Sequence, residues 1–271
     1  LITEGVVEQL ILAILSGGAV GFTLGLIGGG GSILATPLML YVVGLSPHRA
    51  IGTGALAVSA NAFVNFAGHA RKGNVRWKSA IIFAVLGILG ALGGSTLGKQ
   101  FDGKKLLFLF AILMIVVGVL MLRRKAPPAA AAGLAGQTET LDVTTAIKVC
   151  IAALLVGALS GFFGIGGGFL IVPGLLFSTG MPMIFAIGSS LLSVGTFGLT
   201  TAVNYAMSGL VSWAVAVEFI VGGVAGGLIG TNLAVALAPR RAALNRVFAG
   251  LVFVVAIYML YRNAASFGVH V

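Results

Sequence analysis

Apolar positions in this chain run on rather than alternate. Long apolar segments fall near 7–27, 31–45, 50–70, 79–98 and 105–122, and again near 145–163, 167–181, 186–206, 213–234 and 242–261. At about 1.5 Å of rise per residue, most of them reach across a hydrocarbon core of ~30 Å as helices. Stretches such as 80–97 and 106–122 lack the period of two expected of strands, and most segments outlast barrel strands. Inside lipid the backbone can satisfy its polar groups only as a helix or a closed barrel. The pattern therefore predicts an all-α polytopic membrane protein with about five helical elements in each of two sets. The stretch between the sets starts basic, at Arg123-Arg124-Lys125, and continues polar and Ala/Pro-rich. It reads as a surface linker. The expected organisation is a first transmembrane repeat over 1–122, a linker over 123–144 and a second repeat over 145–271.

The two sets are copies. The run from Gly25 through Gly28, Gly29, Gly30, Gly31 and Ser32 to Pro37 recurs from Gly161 through Gly164, Gly166, Gly167 and Gly168 to Pro173, 136 residues later and without a gap. The same offset places Gly44 on Gly180, Ala50-Ile51-Gly52 on Ala186-Ile187-Gly188, and Gly73, Val75 and Trp77 on Gly209, Val211 and Trp213. It also places Gly87, Gly90 and Gly94 on Gly223, Gly226 and Gly230. From 21 to 77, 18 of 57 positions are identical. Unrelated apolar stretches of this composition would match at roughly one in ten. Internal repeats of helical bundles mark secondary transporters.

An odd number of crossings per copy inverts the second copy, and an even number leaves the two parallel. Inversion puts eleven Lys and Arg on one membrane face and five on the other, whereas a parallel four-crossing scheme divides them nine to seven. The tendency of Lys and Arg to stay cytoplasmic favours inversion. Loop 71–78 carries four basic residues and its copy at 207–213 none, although Lys99, Lys104 and Lys105 fall on the sparse face. Segments 31–45 and 167–181 are short enough to be re-entrant.

Composition narrows the class. The chain has 271 residues, 59% hydrophobic and 8% charged, with a mean hydropathy of +1.14. A soluble domain carries about a quarter charged residues. The net charge of +10 fits basic cytoplasmic loops and anionic headgroups rather than nucleic acid. The single cysteine, Cys150, excludes an intramolecular disulfide and a multi-cysteine metal site. His48, His69 and His270 share no helical spacing with a carboxylate, and neither glycine cluster continues into Lys-Ser/Thr. No catalytic group, metal, cofactor or ATPase subunit is called for. Glu4 and Glu8 precede the first apolar run, where a cleavable leader would carry positive charge.

Four consecutive glycines, Gly28–Gly31, exceed what one-sided helix packing needs. They read as a helix break, as does the cluster Gly164, Gly166, Gly167 and Gly168. A half-helix restarting at each break would present free N–H groups, with Ser32 beside the first, and a positive dipole end. Buried at mid-depth, that makes an anion site. The glycines at 87/90/94 and 223/226/230 read instead as close helix packing.

Polar residues inside a span are candidates for the substrate path or for interhelical hydrogen bonds. Asn61, Asn65 and His69 lie at i, i+4, i+8 on one face. The two asparagines can donate N–H to an oxyanion, and His69, close to Arg71 and Lys72, reads as interfacial. The second copy offers Ser189, Ser190, Thr200 and Asn204. Glu218 is the one acid within a predicted span and is the candidate for proton coupling.

These residues resemble the TauE/SafE family of membrane transporters. The resemblance rests on the paired glycine motifs with their prolines, on Ala50-Ile51-Gly52-Thr53 and Ala186-Ile187-Gly188-Ser189-Ser190, and on Gly73/Trp77 and Gly209/Trp213. It covers nearly all of the chain apart from the linker. It implies export of sulfite, of an organosulfonate such as sulfoacetate, or of a related sulfur anion across the bacterial inner membrane. The expected partners are that anion and the surrounding lipid, with room for a homodimer. The rival readings are a passive anion channel and a non-transporting membrane scaffold or intramembrane enzyme subunit.

Overall fold

The computed structural model describes residues 2–123, 142–164, 168–237, 250 and 253–261. In the first half, α1 (Ile2–Ile27) passes into a 3-10 helix (Gly28–Leu34) and α2 (Ala35–Tyr41), followed by α3 (Pro47–Arg71), α4 (Trp77–Gly98) and α5 (Gly103–Arg123). The second half holds α6 (Val143–Phe163), α7 (Gly168–Thr179), α8 (Met183–Ala206) and α9 (Trp213–Leu237), and 253–261 is helical as well. No strand occurs among the described residues, and seven helical stretches among them are long and apolar enough to cross a membrane. The chain is an all-α polytopic membrane protein. Most of the expected linker, 124–141, and much of the last apolar segment lie outside the described residues.

The helices start and stop for local reasons. Ser46 is extended and Pro47 opens α3, where its missing N–H costs nothing. At the end of α3 the Gly73 N–H donates to the Ala70 carbonyl and the Asn74 N–H to that of His69, both at 3.0 Å. The end of α8 repeats this with Gly209 to Ala206 at 2.9 Å and Leu210 to Tyr205 at 3.0 Å. Gly73 and Gly209 both have φ +68°, the left-handed residue that closes a helix this way. Among the described residues, the glycines of positive φ fall into the pairs Gly28/Gly164, Gly44/Gly180 and Gly73/Gly209. Each pair is separated by the repeat offset.

Contacts between the halves come in exchanged pairs. Thr53 Oγ1 accepts from the Ser212 N–H and Ser189 Oγ accepts from the Arg76 N–H, both at 2.9 Å. Adding 136 to Thr53 gives Ser189, and adding it to Arg76 gives Ser212. In the same manner Gly28 abuts Ile187 while Gly164 abuts Ile51, and Gly52 abuts the Leu210 carbonyl while Gly188 abuts that of Asn74.

Helices α3 and α8 are the most buried of the spanning helices and run antiparallel along their lengths. Gly52 meets Tyr205, Ser59 meets Gly195 and His69 meets Gly188. They are flanked by two parallel pairs, α1 with α9 and α4 with α6. Backbones in these pairs touch through glycine: a Cβ on Gly90 or Gly94 would strike α6, and one on Gly226 or Gly230 would strike α1. Small residues permit such an approach in lipid. Leu89, Val85, Leu155 and Val221 are exposed on the outer faces, where lipid covers them.

Candidate functional site

Helix α1 ends because Gly28 adopts φ +69°, a conformation that glycine takes without a steric penalty. The chain then folds back, and Gly31 lies against the backbone of Thr23 and Leu24. In an unbroken helix residues 24 and 31 would be about 10 Å apart. The first glycine cluster is therefore a break and not a packing stripe. Helix α6 ends alike, with Gly164 at φ +64° and its N–H on the Gly161 carbonyl at 3.1 Å. The two breaks meet. Gly29 and Gly168 are in backbone contact, so that a Cβ on either would strike the other's carbonyl. Gly166 and Gly167 lie outside the described residues.

Gly28, Gly29, Gly30, Gly31 and Ser32 are all buried. The donor at the head of the first cluster is not free. The Gly29 N–H donates to Ser190 Oγ at 3.1 Å, and Ser190 donates to the Ile187 carbonyl at 2.8 Å. Ser32 Oγ donates to the Gly29 carbonyl at 2.9 Å. A hydroxyl from the second half thus caps the break of the first.

One face of α3 carries the polar stripe against α1 and α9. Asn65 is fully engaged: its Nδ2 donates to the Asn61 carbonyl and its Oδ1 accepts from Thr231 Oγ1, both at 2.9 Å. His69 is not interfacial as its cationic neighbours suggest. It is completely buried, with Nε2 3.1 Å from the Gly25 carbonyl in the last turn of α1. The reason is that α1 ends beside it, and the end of a helix leaves carbonyls without partners. Asn61 stands apart. It is completely buried, it sits against the Gly223 backbone of α9, and neither its Oδ1 nor its Nδ2 has a hydrogen-bond partner. A buried polar group left unpaired costs about 1–3 kcal/mol, which makes this amide a candidate ligand group.

The other expected residues serve elsewhere. Ser189 holds the Arg76 N–H. Thr200 Oγ1 donates to the carbonyl of Thr196 in its own helix at 2.8 Å. Asn204 binds the end of α4, donating to Ser95 Oγ at 2.7 Å and accepting from Lys99 Nζ at 2.8 Å. Glu218 is half-buried in the second turn of α9. The structure brings together the Gly28–Ser32 break, Gly168 and Ser190, while Asn65 packs on Gly25 and Gly227 and Asn61 on Gly223. It does not bring Thr200, Asn204 or Glu218 there.

Thr36, Ser160, Thr201 and Tyr205 also bury hydroxyls without partners. Thr201 and Tyr205 are the repeat equivalents of Asn65 and His69, and that spacing marks them in the sequence. Thr36 and Ser160 carry no comparable signal. The two copies differ most at Asn61. Its equivalent, Phe197, fills the space beside Gly87, the equivalent of Gly223, and stacks on Phe83 at 6.3 Å between centroids. One seam is polar where the other is aromatic.

A buried amide within a transmembrane bundle that also holds two helix breaks in contact is suited to a small polar solute. The family described as Sulfite exporter TauE/SafE matches residues 13–259. The chain belongs to this family. A probable membrane transporter protein of Xylella fastidiosa (strain 9a5c) is 58% identical over 261 residues, covering 96% of this chain and 98% of the relative. The probable membrane transporter protein YunE of Bacillus subtilis is 30% identical, covering 83% of this chain and 87% of its own. A further probable membrane transporter protein, MJ0441 of Methanocaldococcus jannaschii, is 27% identical over 75% of this chain and 72% of its own. No solved structure matches the chain. TauE/SafE proteins are membrane transporters rather than enzymes, and with bacterial relatives of this kind the chain is an integral protein of the plasma membrane.

Proposed function

We propose that this TauE/SafE protein is a secondary exporter of a small sulfur-containing anion, sulfite or an organosulfonate such as sulfoacetate. The observation that carries the reading is Asn61, whose buried amide has no protein partner. An amide N–H donates to sulfonyl oxygen without requiring a fixed positive charge in lipid. The glycine breaks, with Ser32 and Ser190, are read as a second part of the path. The anion displaces the Ser190 cap to reach the Gly29 N–H.

The two halves are read as inverted repeats over 1–122 and 145–271, which the exchanged contacts and the antiparallel α3 and α8 support. Two copies related in this way, each crossing the membrane, alternate access by rocking against each other. No ATPase subunit takes part. Glu218 is the candidate for proton coupling, and Glu218→Gln is expected to abolish gradient-driven flux while sparing exchange.

The test is flux in proteoliposomes. Saturable, counterflow-competent movement of sulfite or sulfoacetate supports the proposal. Non-saturating flux without counterflow would make the protein a channel, and no flux of either anion by folded protein would sink the substrate assignment.

A further inference from the structure

Two seams, polar at Asn61 and aromatic at Phe197, run away from the centre in opposite directions, and each ends in a lysine bound to an asparagine. From Asn61 the first passes Asn65 with Thr231, then His69, and closes where Lys72 Nζ donates to Asn232 Oδ1 at 2.7 Å. From Phe197 the second passes Thr201 and Tyr205 and closes where Lys99 Nζ donates to Asn204 Oδ1 at 2.8 Å and to Ser208 Oγ at 3.0 Å. Lys72 caps the C-terminal end of α3, and Asn232 lies near that of α9. Lys99 caps the C-terminal end of α4, and Asn204 lies in the last turn of α8. Because α3 and α8 are antiparallel, the two links sit at opposite membrane faces. Each ties a helix of one repeat to a helix of the other.

The links are not inherited from the duplication. Lys72 corresponds to Ser208 and Asn232 to Thr96, while Lys99 corresponds to Val235 and Asn204 to Gly68. The Thr53 and Ser189 clasps use equivalent residues at equivalent places. The lysine links make the same bond at equivalent places from non-equivalent residues, with the cation supplied by α3 at one face and by α4 at the other. The recurrence of the bond, without recurrence of the residues, indicates that the bond itself is required. Lysine suits these positions, since a helix C-terminus favours a cation. Hydrogen bonds from a lysine to neutral acceptors at an aqueous edge are weak enough to open and close in each cycle.

We propose that Lys72–Asn232 and Lys99–Asn204 are the two gates of the transport path, one at each membrane face. This rests on the transport reading above. Both gates are shut in this structure, and Asn61 between them is completely buried.

The experiment reads access to the centre and needs no substrate. Asn61→Cys is placed in a Cys150→Ser background, and a membrane-impermeant maleimide is added to either face of oriented vesicles. Lys72→Met is expected to raise the labelling rate several-fold from the face that bears residue 72. Lys99→Met should raise it from the opposite face only. Asn232→Asp and Asn204→Asp replace each link with an ion pair, and each should slow labelling from its own face. This guards against a methionine variant that merely loosens the fold. Equal rates in all variants, or a rise from the same face in both methionine variants, overturn the proposal. Sided labelling in a protein that moves no sulfur anion would leave the gates standing and remove the substrate assignment alone.

Discussion

Ser59 Oγ donates a 2.7 Å hydrogen bond to the carbonyl of Gly195, the residue that occupies the place of Ser59 in the second copy. In the inverted-repeat arrangement proposed above, two equivalent positions touch only near the axis that relates them, which then passes midway along α3 and α8. Gly195 is tight there, and a Cβ would press on the Phe63 ring at 2.7–2.9 Å. Gly195→Val must displace the Phe63 ring and crowd α3 against α8, and is expected to lower Tm by several degrees. Ser59→Ala removes one buried hydrogen bond and should cost about 1 kcal/mol, read as a drop of a few degrees in Tm. A normal Tm for Gly195→Val would mean that α3 and α8 are not held where described.

The crossing of the breaks makes an equally direct prediction. A methyl group on Gly168 meets the Gly29 carbonyl, which is backbone and cannot rotate away. Gly168→Ala should therefore lose transport and lower Tm by several degrees. Gly93→Ala, on the same count of one methyl in a span, meets nothing within 4 Å and should behave as the unaltered protein. Equal tolerance of both would show that the breaks do not touch.

The helix boundaries and the break at Gly28 could be read from the sequence because each has a local cause. Four adjacent glycines cannot all serve one packing face, and a fixed offset survives in the glycines of positive φ. The partners of individual polar groups could not be read in this way. Ser189 and Asn204 look alike as polar residues within a span, yet one clasps a loop and the other a lysine, because those partners come from helices distant in sequence. His69 misled for a related reason. Its neighbours in sequence, Arg71 and Lys72, are exposed, but it turns inward to a carbonyl freed by the end of α1. The Asn61 stripe was visible by its spacing. That Asn61 alone of the two asparagines lacks partners depends on Thr231, 166 residues from Asn65.

Between α4 and α5, Asp102 offers a pH-dependent test outside the spans. Its Oδ1 accepts from the N–H groups of Lys104 and Lys105, both at 3.0 Å, at the start of α5. The Lys105 N–H bond is the main cause that holds its carboxyl below the usual aspartate range. A depressed folded-state pKa means that the contribution is complete above the unfolded aspartate pKa and disappears as pH falls through the folded value. Amide exchange at Lys104 and Lys105 should therefore be protected at pH 7 beyond the intrinsic pH effect and lose that protection in acid. In Asp102→Ala the two amides should exchange at their intrinsic rates, without protection, at both. Unchanged protection in Asp102→Ala would show that the carboxylate does not cap α5.

Asn61 and Asn65 separate binding from stability within one helix face. Asn65 makes two buried hydrogen bonds, so Asn65→Ala strands the Thr231 hydroxyl and should lower stability by about 1–3 kcal/mol. Asn61 makes none through its side chain, and Asn61→Leu removes an unpaired amide from an apolar bundle. Its Tm should hold or rise, provided that leucine fits beside Gly223, and Asn61→Ala covers the case in which it does not. Transport should respond in the opposite sense, with flux in Asn61→Leu and Asn61→Ala falling at least tenfold while the protein stays folded. The tenfold figure corresponds to loss of about 1.4 kcal/mol, one hydrogen bond to a charged ligand at the low end. Normal flux in both Asn61 variants would move the substrate away from this seam, whatever anion the protein carries.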